Sequence, residues 1–147
     1  MENKELLQEW LDFAEMDFLT VRHLYDNMYP KPLEIICYHC QQSIEKLLKG
    51  ALLSFGVTIK KTHDLGLLAE MLQDYVEVEP KYMEMCDDLT PYGVKIRYPQ
   101  ELVIEEYHVK KLCLRRRSYI CGFMDYWIKK MKKALPEIQW LGIAGMD

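Results

Sequence analysis

Apolar side chains recur at helical spacing along most of the chain. Over residues 3–28 they fall at Leu6, Leu7, Trp10, Phe13, Ala14, Phe18, Val21, Leu24, Tyr25 and Met28. This predicts an amphipathic helix with one polar intruder, Asp17. Pro30 and Pro32 break it, and Pro32 suits the first turn of the next helix. That second helix is predicted over 33–55, with Leu33, Ile36, Cys37, Cys40, Ile44, Leu47, Leu48, Ala51 and Leu52 as its apolar set and Gly56 as a left-handed stop. The set covers more than one face, so this helix belongs between other helices.

A linker over 57–63, carrying Lys60 and Lys61, leads to a third helix predicted over 65–75. Thr62 or Asp64 caps it, and Leu65, Leu68, Leu72 and Tyr75 face inward. Pro80 opens a fourth helix over 81–89, which Thr90-Pro91 ends. Residues 92–100 read as irregular, punctuated by Gly93 and Pro99, and a long last helix is predicted over 102–134. No internal repeat and no useful run of strand alternation interrupts this order. The pattern predicts an all-α protein, an antiparallel up-and-down bundle of four to five helices. It forms a single domain over 1–135, followed by a C-terminal tail over 136–147 that carries Ile138, Trp140, Leu141 and Ile143.

Composition agrees with this class. The 147 residues are 50% hydrophobic and 29% charged, enough to build one core without staples. Seven Gly and six Pro are too few for the turns of a sandwich or barrel. The opening residues lack the apolar core of a secretory signal, and no apolar run approaches the ~18 residues of a membrane span. A cytoplasmic protein with no membrane partner is the expectation, its five cysteines (Cys37, Cys40, Cys86, Cys113 and Cys121) reduced. The net charge of −4 argues against a general nucleic-acid coat, but it is unevenly spread. Residues 1–109 hold ten basic and twenty acidic side chains, whereas residues 110–133 hold nine basic ones against Asp125 alone. On the last helix Lys111, Arg115, Lys129 and Lys133 form one stripe, either a solvated face or a surface for phosphates.

Few residues offer chemistry. Cys37-Tyr38-His39-Cys40 has no second Cys/His pair to complete a zinc site and lies within a helix, so it reads as core; no metal and no cofactor is implied. His63-Asp64 stands at a helix start, either as a plain cap or as a histidine beside a groove. Gln41, Gln42, Glu45, Lys46 and Lys49 place a polar cluster on an otherwise core-like helix, with Gln42, Lys46 and Lys49 sharing a face. Asp17, among apolar neighbours, needs a partner, and Arg97 is the candidate.

The ordered set resembles the HEPN family (higher-eukaryote and prokaryote nucleotide-binding domain). It consists of Trp10, Ala14 and Asp17; the run Cys37-Tyr38-His39-Cys40-Gln41-Gln42-Ser43-Ile44-Glu45-Lys46-Leu47-Leu48-Lys49-Gly50; Thr62-His63-Asp64-Leu65; and Tyr92 with Arg97-Tyr98-Pro99. The resemblance implies a dimerising helical bundle whose polar groove gathers Asp17, Glu45, Lys46, His63 and Arg97. Many members of the family stand beside a minimal nucleotidyltransferase as a two-protein system, and many are RNA-cleaving toxins. The nucleases use an arginine followed four to six residues later by a histidine. Here the histidine after Arg97 is His108, with ten residues between them. Arg97-Tyr98-Pro99 therefore reads as the non-nucleolytic variety. The resulting expectation is a homodimer that binds a nucleotide or RNA phosphate through Asp17, Gln42, Glu45, Lys46, Lys49, His63, Arg97 and Tyr98, with a nucleotidyltransferase as partner. The alternative is a toxin of a toxin-antitoxin pair, cleaving RNA with Arg97 and either His63 or His108.

Overall fold

The computed structural model describes residues 2–93, 105–110, 122, 123, 125–127 and 129. Helix α1 spans Glu2–Asn27, α2 Leu33–Ser54, α3 Leu65–Gln73 and α4 Pro80–Leu89. A 3-10 turn over Thr90–Gly93 follows, and a short helix α5 covers Glu106–Val109. No strand occurs among the described residues, and the chain is an all-α antiparallel bundle. Most of the predicted last helix lies outside the described residues; of its basic stripe, Lys129 alone is among them, helical and exposed. Its start differs from expectation, because Glu105 is extended and the helix begins at Glu106.

The long pair α1–α2 is the base of the bundle. Leu7, Leu11, Ala14, Phe18 and Val21 of α1 pack on Ile44, Leu47, Leu48 and Ala51 of α2, all at most 1% exposed. Small residues let the two backbones approach. Ser43 Oγ donates to the Ala14 carbonyl at 2.8 Å. A Cβ on Gly50 would sit 3.3 Å from both Leu7 Cδ1 and Trp10 Cβ. Three members of the predicted apolar stripe of the first helix are exposed instead: Leu6, Phe13 at 59%, and Met28, which lies just past the end of α1.

Termination follows local chemistry. Gly56 takes φ +78°, the Gly56 N–H donates to the Leu53 carbonyl at 2.9 Å and the Val57 N–H to that of Leu52 at 3.0 Å. This is the paired bonding of a Schellman stop, which needs a residue without a Cβ penalty. Asp64 caps α3 by accepting the Leu67 N–H at 3.1 Å, one of the two caps the sequence allowed. Because α3 ends at Gln73, Tyr75 leaves the helical register; it is half exposed and stacks on Phe55 at 5.1 Å rather than facing the core.

The remaining elements close over α2. Leu65, Leu68 and Leu72 of α3 and Tyr82, Met85, Cys86 and Leu89 of α4 complete the core, with Phe123 tilted against Tyr82 and Trp127 edge-on to Phe123. Burial pushes the Cys37 and Cys86 thiols up to about 12, with Glu34 and Asp87 adding to it respectively. Cys40 departs from the expectation of reduced thiols: it is disulfide-bonded. Near the end of α1, Tyr25 donates to Glu106 at 2.8 Å, and Lys31 lies 3.3 Å from the same oxygen. The Tyr25 hydroxyl, then Lys31, hold that carboxyl below its ordinary value and tie α5 to α1. No helix among the described residues is long and apolar enough to cross a membrane.

The α1–α2 approach predicts a steric limit. Gly50→Ala should change stability little, because about 1 kcal/mol of helix propensity offsets the tight contact. Gly50→Val should lower the unfolding free energy by about 1–3 kcal/mol through overpacking, measured by urea denaturation.

Candidate functional site

Helix α2 buries a sector of its own polar side chains, and the site grows from it. Glu45 and Lys49 are i,i+4 neighbours with only 5% and 8% of their side chains exposed, and Lys49 Nζ lies 3.4 Å from Glu45 Oε2. The other oxygen, Oε1, accepts from His63 Nδ1 at 2.7 Å and from Gln41 Nε2 at 3.4 Å. Gln41 also donates to the His63 carbonyl at 3.1 Å and accepts from Gln42 Nε2 at 2.7 Å. The 3-10 turn closes over this amide, since a Cβ on Gly93 would come within 2.7 Å of it. Both the backbone and the ring of His63 are thereby anchored to the buried sector, yet its side chain remains 61% exposed.

A second cluster stands further round α2. Asp17 of α1 takes a short ion pair from Lys46 through Oδ2 and a hydrogen bond from His39 Nδ1 at 3.0 Å through Oδ1. A carboxylate only accepts, so Nδ1 of both His39 and His63 carries the proton. In the neutral rings Nε2 is then the basic nitrogen. The two lysines and two carboxylates balance in charge, and Lys46, 22% exposed, is the more accessible of the two ammonium groups.

Beside Lys46 lies a cavity of about 320 Å³ lined by Leu6, Glu9, Trp10, Phe13 and Lys46. The first four are one face of α1 at i, i+3, i+4 and i+7. Lys46 Nζ sits 5.6 Å from the Phe13 ring centre and Lys49 Nζ 5.9 Å from that of Trp10, both within cation–π range. The Trp10 indole N–H is shut off from solvent and has no acceptor among the described residues. Aromatic faces, an ammonium and a volume of this size suit a planar anion.

The structure therefore joins Glu45, Lys49, His63 and Gln42 in one network, and Asp17 with Lys46 in its neighbour. Arg97 and Tyr98 lie outside the described residues, as does the side chain of His108. The partner expected for Asp17 was Arg97; among the described residues its oxygens are held by Lys46 and His39. Sequence reasoning missed His39, which it assigned to the core. The available signal was the seven-residue step from His39 to Lys46, two helical turns on the side of α2 that meets Asp17. It also missed Gln41 as an anchor, and the cavity itself. Cys37 and Cys40, which invited a metal reading, are 1% and 0% exposed in the core as expected.

Among family models, the one described as HEPN domain matches residues 7–120. No curated protein matches the chain significantly, and no solved structure does.

The buried pair makes a prediction about stability. Glu45→Gln leaves the Lys49 ammonium buried without a counter-charge and should cost about 3–5 kcal/mol. The double change Glu45→Leu with Lys49→Met removes both charges and should recover a large part of that loss. Urea denaturation of Glu45→Leu, Lys49→Met and the double variant measures the coupling.

Proposed function

This chain belongs to the HEPN family, and we propose from that premise that it binds a nucleotide or the phosphate of an RNA at the α1–α2 groove. The observation that supports this reading is the cavity in which Trp10 and Phe13 share a wall with the Lys46 ammonium. A base stacks on the two aromatic rings while its phosphate reaches Lys46, which Asp17 and His39 hold in place. Lys49, committed to Glu45, keeps the interior neutral and takes no direct part. Arg97, which the family resemblance brings to the same groove, adds a phosphate contact, and Tyr98, its neighbour in sequence, adds a third stacking ring. In the same reading the protein works as a homodimer beside a nucleotidyltransferase partner, as the family's two-protein systems do.

A second reading draws on the Glu45–His63 pair. A buried carboxylate that fixes Nδ1 of an exposed imidazole leaves Nε2 free to take a proton, the requirement for attack by an RNA 2′-hydroxyl. Incubating purified protein with total RNA tests it: cleavage abolished by His63→Ala would favour it, and intact RNA at high protein concentration would reject it.

Calorimetric titration with 5′-nucleoside monophosphates and short RNA tests the leading reading. Lys46→Ala should weaken binding at least about 10-fold, the scale of a charged hydrogen bond. Phe13→Ala should weaken it about 5-fold or more, the lower end of base–aromatic stacking. Absence of heat with every ligand would overturn the proposal.

A further inference from the structure

Glu9 is a carboxylate without employment in the fold. It is exposed and has no hydrogen-bond or ion-pair partner among the described residues. Its position is nevertheless specific: it lines the cavity between Leu6 and Trp10 on the α1 face. A nucleotide site gains nothing from a nearby negative charge unless that charge meets hydrogen-bond donors on the ligand, because it repels phosphate. The phosphate end of the cavity is set by Lys46, which lies over Phe13. Phe13 is four residues, or about 6 Å along the helix, from Glu9. The cavity is thus polarised along α1, cationic at the Phe13 end and anionic at the Glu9 end, with aromatic faces between.

We propose that this polarity selects guanine nucleotides, with Glu9 as the specificity-determining residue. The inference rests on the binding reading above and names the base that the pocket takes. A carboxylate is acceptor-only and offers two oxygens in one plane. Guanine presents two adjacent donors on one edge, N1–H and the N2 amino group, and pairs with both oxygens at once. Adenine and cytosine set one amino donor beside a bare ring nitrogen, whose lone pair faces the carboxylate. Uracil sets its single N–H between two carbonyl oxygens. In each of these three cases an acceptor is forced against Glu9, and a site built on hydrogen bonding rejects ligands that lack the matching donors. Glu9 draws the guanine edge to one end, the rings of Trp10 and Phe13 cover its faces, and the 5′-phosphate is left to Lys46.

The test is calorimetric titration of the full chain with GMP, AMP, CMP and UMP separately, repeated with Glu9→Gln. The expected result is GMP binding at least about 10-fold tighter than the other three, with the GMP-to-AMP ratio falling to near one in the variant. Circular dichroism confirms that the variant is folded. Equal affinities for the four nucleotides, or a GMP preference that survives Glu9→Gln, would overturn the guanine proposal while leaving the binding reading intact. If no monophosphate binds, this proposal fails; the binding reading fails with it only if short RNA also gives no heat.

Discussion

Burying a carboxylate in the middle of α2 is the constraint around which this bundle is organised. Glu45 is nearly inaccessible, and a charge in that position is stable only when its oxygens are fully engaged. Lys49 supplies the counter-charge one turn along the same helix, while His63 and Gln41 supply the remaining donors. His63 belongs to the connection between α2 and α3, so satisfying Glu45 also pins that connection to the bundle. Gln41 in turn fixes the His63 backbone and lies under Gly93, so the turn that follows α4 packs on the same amide. One buried charge thereby sets the positions of two loops.

The same arrangement divides the polar residues of α2 by role. Lys49 looks like a ligand contact on a helical wheel, yet its charge is already consumed in the interior. Lys46, three residues earlier, is paired with Asp17 but keeps part of its side chain open to the cavity. A paired carboxylate holds each lysine in one geometry. The outward-facing aromatic rings have a related logic. Phe13 repeats the helical period of the α1 apolar stripe but falls at its edge, where it forms the wall of a cavity rather than part of the core.

Much of this was legible in the sequence. The four long helices lie within one or two residues of the predicted ranges, apart from the last predicted helix. Proline, glycine and Asp64 act on the immediately adjacent backbone, so their effects need no tertiary information. The identity of the polar cluster was also visible, because Gln41, Glu45 and Lys49 interrupt an apolar pattern. What escaped was pairing. Asp17 lies 22 residues from His39 and 29 from Lys46. Choosing His39 and Lys46 as its partners depends on how α1 is rotated and shifted against α2. Tyr75 escaped for a related reason, since its helical phase held only if α3 continued past Gln73.

The sequence by itself therefore determined the helices, their stops, the all-α class and the family, because these follow from local periodicity, capping and a motif order read along the chain. Tertiary structure alone decided which lysine is buried and which is accessible, that His63 is exposed but anchored, and that Glu9, Trp10, Phe13 and Lys46 enclose a common space. Those outcomes arise from the register between two packed helices. Close approach at Ala14, Ser43 and Gly50 sets that register, through contacts between residues that are neighbours only after folding.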